Sequence, residues 1–337
     1  MDDNIISKYI DEIECSNLQC ARKKILICPL NWGLGHATRC VPIIRNLISI
    51  GHEPVIVADG YCLKFLQLEF PALRFIDYAS YKVNYSSGKS QIAAMLIAFP
   101  SIIYGIIREH RWLKRLLESE HFDQIISDNR FGLWHKNVPS IYITHQLMVK
   151  MPRGLKLLEP AIWVLNRIFI HKYNECWIPD DTTKKLTGDL AHKYKLPENA
   201  KFIGLQSRFA FDNSIVVNKA YKVVAIVSGV EPQRSLFENF LIEKFREKEY
   251  KTLLISGQPG HSQTNKRIGN LEITSHLNSH DLAAILLGAE KIVCRSGYST
   301  IMDLEALKCL YKAEFIPTPG QTEQEYLATL DYSKLQA

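Results

Sequence analysis

Short apolar runs alternate with amphipathic stretches along the first half of the chain. Runs rich in β-branched residues occupy positions 24–28, 53–58, 73–78, 122–128 and 139–145. The segments between them, including VPIIRNLISI and REHRWLKRLLE, carry apolar residues at helical spacing. Strand–helix–strand order with almost unbroken apolar strands is typical of a parallel sheet that helices cover on both faces.

The same alternation starts again in the second half. Further strands are predicted at 221–229, 250–257, 271–277, 290–297 and 312–319, with helices such as QRSLFENFLIEKFREK between them. We therefore predict an α/β protein of two Rossmann-like, doubly wound parallel-sheet domains that face each other across a cleft. The predicted units are an N-terminal extension (1–22), a first domain (23–180), a turn-rich linker (181–215) and a second domain (216–337).

Composition and charge limit the classes of molecule that the protein is expected to bind. Hydrophobic residues make up 47% of the chain and charged residues 23%, the balance of a soluble globular protein, and the formal net charge is only +6. Because no long basic stretch and no RNA-binding aromatic motif occurs, we do not expect nucleic acid as a partner. The eight cysteines form no C-x-x-C pair, and several lie in apolar runs, which indicates reduced, buried thiols.

The location is predicted from the N-terminus and from the longest apolar run. The first residues carry acids where a signal peptide needs bases, and they include no apolar core. The run at 92–107 is interrupted by Pro100 and Gly105 and falls short of an uninterrupted membrane span. These features predict a cytoplasmic protein.

The stretch NWGLGHATRC, residues 31–40, joins the first strand to the first helix. Its glycines, Gly33 and Gly35, begin like a dinucleotide-binding G-x-G-x-x-G turn, but Thr38 stands at the third glycine position, so that interpretation fails. A tight loop at a helix N-terminus still presents unpaired backbone N–H groups and a positive dipole end. A neutral His36 there suits proton acceptance, and its alternative role is only to cap the helix.

A second strand-to-helix turn lies in CRSGYSTIMDLEAL, residues 294–307. Its small residues allow close approach of a phosphate or ribose, and Asp303 follows Ser299 by one helical turn on the same side. A carboxylate there suits the two hydroxyls of a ribose; the alternative is an acid stabilised by the helix dipole. Weaker signals are Ser228 and Gly229 after the first strand of the second domain, Arg208 in the linker, and Asp128, a second candidate base at the end of a strand.

Together these stretches resemble the GT-B glycosyltransferases of the family that includes the lipid-II-forming peptidoglycan GlcNAc transferase and the galactolipid synthases. The resemblance spans about residues 24–328, and its most specific part is CRSGYSTIMDLEALKCLYKAEFIPTPGQTEQEYLA. The family commonly ends with a helix that returns to the first domain, and only TLDYSKLQA follows here, which predicts a shortened closing helix.

The resemblance implies a role for each matching residue. Asp303 corresponds to the acid that binds the ribose, Leu277 to a uracil contact, and Arg208 to an arginine that reaches the diphosphate. Glu325 departs from the family, which has a second glutamine there, and so leaves the donor sugar open. The remaining implied donor contacts are the loop with Gly35, the turn of Ser228 and Gly229, the turn of Arg295, Ser296 and Gly297 with Ser299 and Thr300, and Gln324.

The function that the resemblance implies is an inverting, metal-independent transfer of a sugar from a UDP-sugar donor to a lipid-linked or glycan acceptor. The donor is a co-substrate, and no cofactor is expected. Either His36 or Asp128 is the base, and the sequence does not choose between them. The alternatives are a UDP-sugar epimerase of the same fold and a non-catalytic subunit that binds a sugar nucleotide.

Two segments of the first domain, IAAMLIAFPSIIYGIIREHRWLKRLL and PRGLKLLEPAIWVLNRIFIHKY, join bulky apolar residues to several bases. We predict that they form an apolar patch that docks on the anionic inner face of the plasma membrane. The alternative is that they are core helices whose bases face water. The bases that would rim the patch are Arg108, Arg111, Lys114, Arg115, Arg153, Lys156, Arg167 and Lys172.

Overall fold

The structure, a computed structural model, describes residues 21–80, 91–183, 185–209, 215–260 and 265–332, with only the backbone for 91–99 and for Arg153. Its first unit is a seven-stranded parallel sheet in the order β3-β2-β1-β4-β5-β6-β7. The strands are β1 (Lys24–Pro29), β2 (Glu53–Ala58), β3 (Arg74–Asp77), β4 (Gln124–Asp128), β5 (Ser140–Ile143), β6 (Glu175–Ile178) and β7 (Ala200–Phe202). The helices are α1 (Gly35–Ser49), α2 (Gly60–Glu69), α3 (Gln91–Ser119), α4 (Glu159–Ile170) and α5 (Asp189–His192), with a 3-10 turn at Arg153–Leu158.

The second unit is a six-stranded sheet in the order β10-β11-β9-β8-β12-β13. Its strands are β8 (Val223–Ile226), β9 (Thr252–Ile255), β10 (Lys266–Ile268), β11 (Leu271–Thr274), β12 (Lys291–Cys294) and β13 (Ala313–Phe315). All its pairs are parallel except β10 with β11. The helices are α6 (Gln233–Phe245), α7 (Ser279–Gly288), α8 (Tyr298–Ala306) and α9 (Thr322–Leu327), with a 3-10 turn at Leu310–Lys312.

The strands are apolar throughout because both faces of each sheet are covered. In β1, Ile25 and Ile27 pack into the cluster under α1 and α2, while Leu26 and Cys28 pack into the cluster under α3. The predicted fold class is therefore confirmed. The cysteines that the structure describes are also buried and free of disulfides, as expected: Cys28, Cys40, Cys62, Cys176, Cys294 and Cys309.

Three strands depart from the prediction. β6 and β7 lie among the turn formers, β7 within the segment predicted as linker, and both extend the edge of the first sheet. β10 is a three-residue exposed edge strand. Each is short and flanked by polar residues, so its apolar signal is weak. Helix α3 also runs without a break through Pro100, where the sequence suggested an interruption.

Each sheet has one crevice where a ligand can bind, and the two crevices face each other. The order reverses between β1 and β4 in the first sheet and between β8 and β12 in the second. In open α/β sheets a crevice for ligands forms at such reversals, beyond the carboxyl ends of the strands. Here the loops after β1 and β8 meet, since a Cβ on Gly33 would lie 3.8 Å from the Cα of Gly229.

Candidate active site

A cleft lies between the two domains where the strand orders reverse. The loop after β1 and the start of α1 form one wall, and the start of α8 with the loop before α9 forms the other. Among the lining residues are His36, Arg39, Asn129 and His145 of the first domain, and Ser228, Gly229, Gly297, Ser299, Thr300, Glu323 and Gln324 of the second. The wall therefore combines two helix N-termini with a cluster of ionisable side chains.

The N-termini of α1 and α8 touch at one point. The Ser299 hydroxyl donates to the Gly35 carbonyl at 2.9 Å. A Cβ on Gly35 would lie 2.8 Å from that hydroxyl oxygen, closer than real Cβ atoms approach, so glycine allows this contact. The positive ends of the two helix dipoles consequently open onto the same cleft.

His36 lies at the start of α1 and contacts Asp128 at the end of β4. The distance from His36 Nδ1 to Asp128 Oδ1 is 2.8 Å, and the Asp128 side chain is fully buried. Arg39, one turn further along α1, donates through Nε and Nη2 to both oxygens of the same carboxylate. Arg39 Nη2 also lies 2.9 Å from His36 Nδ1.

Burial and charge set the protonation states of this pair. Burial lowers the pKa of His36; Asp128 opposes this effect and the charge of Arg39 adds to it. Burial alone would raise the pKa of Asp128, but Arg39 and His36 outweigh it and bring the pKa to about 2. Near pH 7 the site therefore holds a neutral imidazole beside an ionised carboxylate.

A second histidine joins the first domain to the second. His145 Nδ1 lies 2.8 Å from Arg39 Nη1, and His145 Nε2 lies 2.8 Å from Glu323 Oε1 on α9. The His145 ring also stacks on Tyr298 of α8, with 4.7 Å between the ring centroids. The ionisable cluster is thus continuous from His36 to Glu323 across the cleft.

The structure brings about half of the predicted site residues to the cleft wall. Those that line it are Gly35, His36, Ser228, Gly229, Gly297, Ser299, Thr300 and Gln324. Those outside the lining are Asp128, Arg208, Leu277, Arg295, Ser296, Asp303 and Glu325. Asp128 nevertheless belongs to the site, because it lies directly behind His36.

Asp303 and Arg208, assigned by resemblance to the ribose and the diphosphate, contact each other. The Arg208 Nε lies 3.4 Å from Asp303 Oδ2, and the Ser207 hydroxyl donates to Asp303 Oδ1 at 2.7 Å. Burial raises the pKa of Asp303, and Arg208 opposes the rise. Each side chain thus already has a neighbour of opposite charge, and the roles that the resemblance implies for them stay predictions.

The other residues outside the lining support the cleft from behind. Arg295 donates to the carbonyls of Ile316 and Pro317 at 3.1 and 2.7 Å, and Ser296 donates to the Gln324 carbonyl at 2.7 Å. Leu277 packs against the core of the second domain. Glu325 turns back to accept from the Gly320 N–H at 2.8 Å, so the acid that faces the cleft is Glu323.

Sequence analysis missed Arg39 and His145 and gave Glu323 no specific role. Arg39 follows His36 by three positions, the spacing of neighbours on one helix face, and His145 ends the run PSIYITH just after β5. Those were the only signals. Within the described residues no three His, Cys, Asp or Glu side chains are grouped for a metal ion.

Comparisons with known proteins place the fold. No protein-family model matches the chain, and no curated protein matches it significantly. Among solved structures, the glycosyltransferase of kitacinnamycin is 16% identical with a TM-score of 0.54, and the match covers 94% of this chain and 89% of that one. The glycosyltransferase SnogD from Streptomyces nogalater is 13% identical with a TM-score of 0.54, over 91% and 84% of the two chains.

A third similar structure has a different activity in its name. It is a Listeria monocytogenes protein assigned as a UDP-N-acetylglucosamine 2-epimerase, 11% identical with a TM-score of 0.51, over 94% and 89% of the two chains. At these identities the likeness concerns the fold. The chain has the two-domain GT-B fold that its strand order also shows.

Proposed function

We propose that this protein is an inverting glycosyltransferase that moves a sugar from a UDP-sugar to a lipid-linked or glycan acceptor without a metal ion. The observation that carries the proposal is the neutral His36, held by an ionised Asp128 in a cleft between two helix N-termini. The cleft offers a base for the acceptor and a positive environment for the donor phosphates in one place.

His36 is the base in this proposal, and Asp128 orients it. Asp128 is fully buried and both its oxygens are engaged by Arg39 and His36, so it does not reach an acceptor hydroxyl. When the His36 Nδ1–H donates to Asp128, the Nε2 lone pair is available for the acceptor proton. The carboxylate then stabilises the imidazolium that forms.

The transfer is a single displacement at the anomeric carbon. The acceptor oxygen forms its bond to that carbon as His36 takes the hydroxyl proton, and the bond to the donor phosphate oxygen breaks. UDP leaves with the electron pair, and attack from the opposite face inverts the anomeric configuration. The dipoles of α1 and α8 and the turn at Gly229 offset the charge on the leaving diphosphate.

The membrane part of the proposal has support from an exposed apolar surface. Leu157 is 94% exposed, and Val164, Leu165 and Ile168 on one face of α4 are between 41% and 54% exposed. Tyr104 of α3 is 66% exposed. The four residues of α4 and of the turn before it are called the apolar patch below, whereas Tyr104 lines a groove with Tyr78 and Arg108. Helix α4 thus exposes apolar side chains as well as bases, which supports docking over the alternative of a core helix.

Exposed bases lie on α3 and beside α4, and one side chain contacts both of these segments. The Trp134 ring lies between His110 of α3, at 4.5 Å, and Lys172 just after α4, at 5.7 Å. The exposed bases nearby are Arg108, Arg111, Lys114, Arg115, Lys156 and Lys172; Arg167 is partly buried against Trp163, and the Arg153 side chain lies outside the described part. No described helix is long and apolar enough to cross a membrane. We propose peripheral docking on the anionic cytoplasmic leaflet.

A UDP-sugar epimerase is the second candidate. Such an enzyme needs ionisable groups on both sides of the sugar, and the cleft has His36 on one wall and Glu323 on the other. The two candidates differ in their product. An epimerase converts the donor into another UDP-sugar without an acceptor, whereas a transferase releases UDP.

The test is a panel of UDP-glucose, UDP-galactose and UDP-N-acetylglucosamine, with GDP-mannose as control, given to the wild type and to His36→Ala. We expect a uridine nucleotide to raise the melting temperature of both proteins. Turnover with lipid-linked and glycan acceptors should fall by about 10²–10⁴-fold in His36→Ala. Absence of binding by every UDP-sugar, or equal turnover by the two proteins, would contradict the proposal, and an altered sugar on UDP without acceptor would favour the epimerase.

A further inference from the structure

A chain of hydrogen bonds runs from the second domain to the proposed base. It begins at Glu323 on α9, passes through His145 and Arg39, and ends at Asp128 and His36. Most of the chain is withdrawn from water: the side chains of Arg39 and His145 are 1% and 8% exposed, whereas Glu323 at the cleft is 20% exposed. The mechanism above uses only the last two residues, so it does not explain why the other three are linked to them.

The donor and the acceptor in each of these hydrogen bonds follow from the chemistry of the side chains. An arginine only donates, so His145 Nδ1 accepts from Arg39, and the proton of a neutral His145 is on Nε2, where it donates to Glu323. Burial alone would raise the pKa of Glu323, but its neighbour His145, with the charge of Arg39 adding to the effect, outweighs burial and lowers the pKa. Glu323 is therefore an ionised acceptor that fixes the tautomer of His145.

The tautomer of His36 depends on whether its Nδ1 bonds to Asp128 or to Arg39. Its Nδ1 lies between an acceptor, Asp128 at 2.8 Å, and a donor, Arg39 Nη2 at 2.9 Å. With a proton on Nδ1 the ring donates to Asp128 and leaves Nε2 free as a base. With a bare Nδ1 it accepts from Arg39, and Nε2 then carries the proton and has no lone pair for the acceptor hydroxyl.

We propose that Glu323 is a positioning residue of the second domain that holds His36 in the base-competent tautomer, through His145 and Arg39. While Glu323 holds His145, Arg39 Nη1 has an acceptor there, and the rest of the guanidinium stays on Asp128. If Glu323 withdraws, the His145 ring loses its partner at Nε2 and can rotate, so that its Nδ1 no longer accepts from Arg39 and the guanidinium competes for His36 Nδ1. The base is thus organised when the two domains are closed, and an open cleft leaves it in the wrong tautomer. This inference rests on the proposed role of His36.

A simpler role for Glu323 is to hold the domains together. Other contacts of α9 do only that: the Thr322 hydroxyl donates to the Lys150 carbonyl at 2.6 Å, and the Tyr326 hydroxyl accepts from the Asp189 N–H at 2.7 Å. Tyr326→Phe removes one such contact from the same helix without touching the chain to His36. It is therefore the matched control.

The first measurement is the protonation of the His36 ring nitrogens by NMR of the ¹⁵N-histidine-labelled full chain, assigned with His36→Gln. The groups that face His36 are Asp128, Arg39, His145 and Glu323, so no other titration should intrude. We expect the proton on Nδ1 in the wild type and in Tyr326→Phe. In Glu323→Ala it should move in a large fraction of molecules to Nε2.

Glu323→Gln separates the hydrogen bond from the charge, because the amide oxygen still accepts from His145. We expect its His36 spectrum to resemble the wild type. If Glu323→Gln matches Glu323→Ala, or if Glu323→Ala matches the wild type, the inference is wrong. This measurement needs no substrate, so its outcome does not depend on whether the proposed function is correct.

Turnover provides the second measurement, with whichever UDP-sugar of the panel is consumed. Glu323→Ala should lose about 10–100-fold in kcat, the effect of one charge-assisted hydrogen bond, with the KM for the donor little changed. Glu323→Gln should recover most of that loss, and Tyr326→Phe should show none. A loss confined to KM would assign Glu323 to donor binding and overturn the positioning role.

Discussion

Two of the histidines that face the interdomain space, His36 and His276, owe their lowered pKa values to burial, with different neighbours. For His36 the carboxylate of Asp128 opposes the effect of burial. For His276, which lies in a second interdomain groove with Arg45 and Glu69, burial acts first and the charge of Arg208 adds to it, so its pKa falls to about 4. His276 is accordingly neutral in the folded protein through the mildly acidic range.

The pH dependence of stability follows from that shift. The ordinary pKa of His276 is 6.5, so below this value the unfolded chain binds a proton that the folded chain refuses until about pH 4. The free energy of unfolding should therefore fall as the pH drops from 6.5 to 4. In His276→Gln this fall, measured by urea unfolding at a series of pH values, should be smaller.

His121→Gln is the matched control, because that ring is 83% exposed on the surface. It should keep the wild-type dependence on pH. If His276→Gln also keeps it, the ring is not held neutral by burial and Arg208, and the description of this groove is wrong.

At the scale of the elements, the contact between α1 and α8 determines how closely the two domains approach. Helix α1 begins at Gly35 and α8 at Tyr298, and the Gly35–Ser299 hydrogen bond joins their first turns. Neither end has a side-chain cap in the described structure. Their exposed N–H groups are thus available to an anion in the cleft.

Gly35→Ala tests this contact. The added methyl would lie 2.8 Å from the Ser299 oxygen, so the Ser299 hydroxyl must rotate away and lose its hydrogen bond or the helices must separate, and we expect a loss of about 1–3 kcal/mol in the free energy of unfolding. Ser299→Gly removes the obstruction and should restore part of the loss. The measurement is a double-mutant cycle by urea unfolding, with an expected coupling of about 0.5–3 kcal/mol. Additive effects would show that the two helix ends do not touch.

At the scale of the whole molecule, the surface is asymmetric. The first domain has the apolar patch at α4 and exposed bases on α3 and beside α4, on the sheet face opposite α1 and α2. Exposed apolar residues of the second domain, such as Leu236 and Phe240, lie apart from it on α6. One face of the molecule thus combines apolar area with positive charge, the combination that an anionic bilayer attracts.

Vesicle co-sedimentation tests the docking surface. The wild type should bind vesicles that contain phosphatidylglycerol and not vesicles of phosphatidylcholine alone, with about 1 kcal/mol from each base near the surface, and salt should weaken the binding. The pair Val164→Ser and Ile168→Ser should reduce it, whereas Leu236→Ser on the second domain should not. If the wild type stays in the supernatant with anionic vesicles at low salt, the patch does not dock on membranes and a soluble acceptor is favoured.

The sequence by itself determined the fold class and the positions of the cleft loops, because both depend on local patterns. Apolar strands of four to six residues and the glycines after β1, β8 and β12 are visible in the sequence at short range. His36, Ser299 and Gly229 could be predicted in this way, since each follows directly from a strand-to-helix turn. Strands β6, β7 and β10 were not predicted from the sequence because they are short and lie among polar residues.

Only the tertiary structure decided the chemistry of the cleft. His145 lies 106 residues from Arg39 and 178 residues from Glu323, and no local pattern relates positions that far apart. Our proposal of His36 rather than Asp128 as the base likewise rests on the burial of Asp128 behind α1. The pairing of Asp303 with Arg208 depends on how the predicted linker packs against the second domain. Long-range packing fixes these distances and pKa values, because solvent exclusion and neighbouring charge are properties of the folded chain.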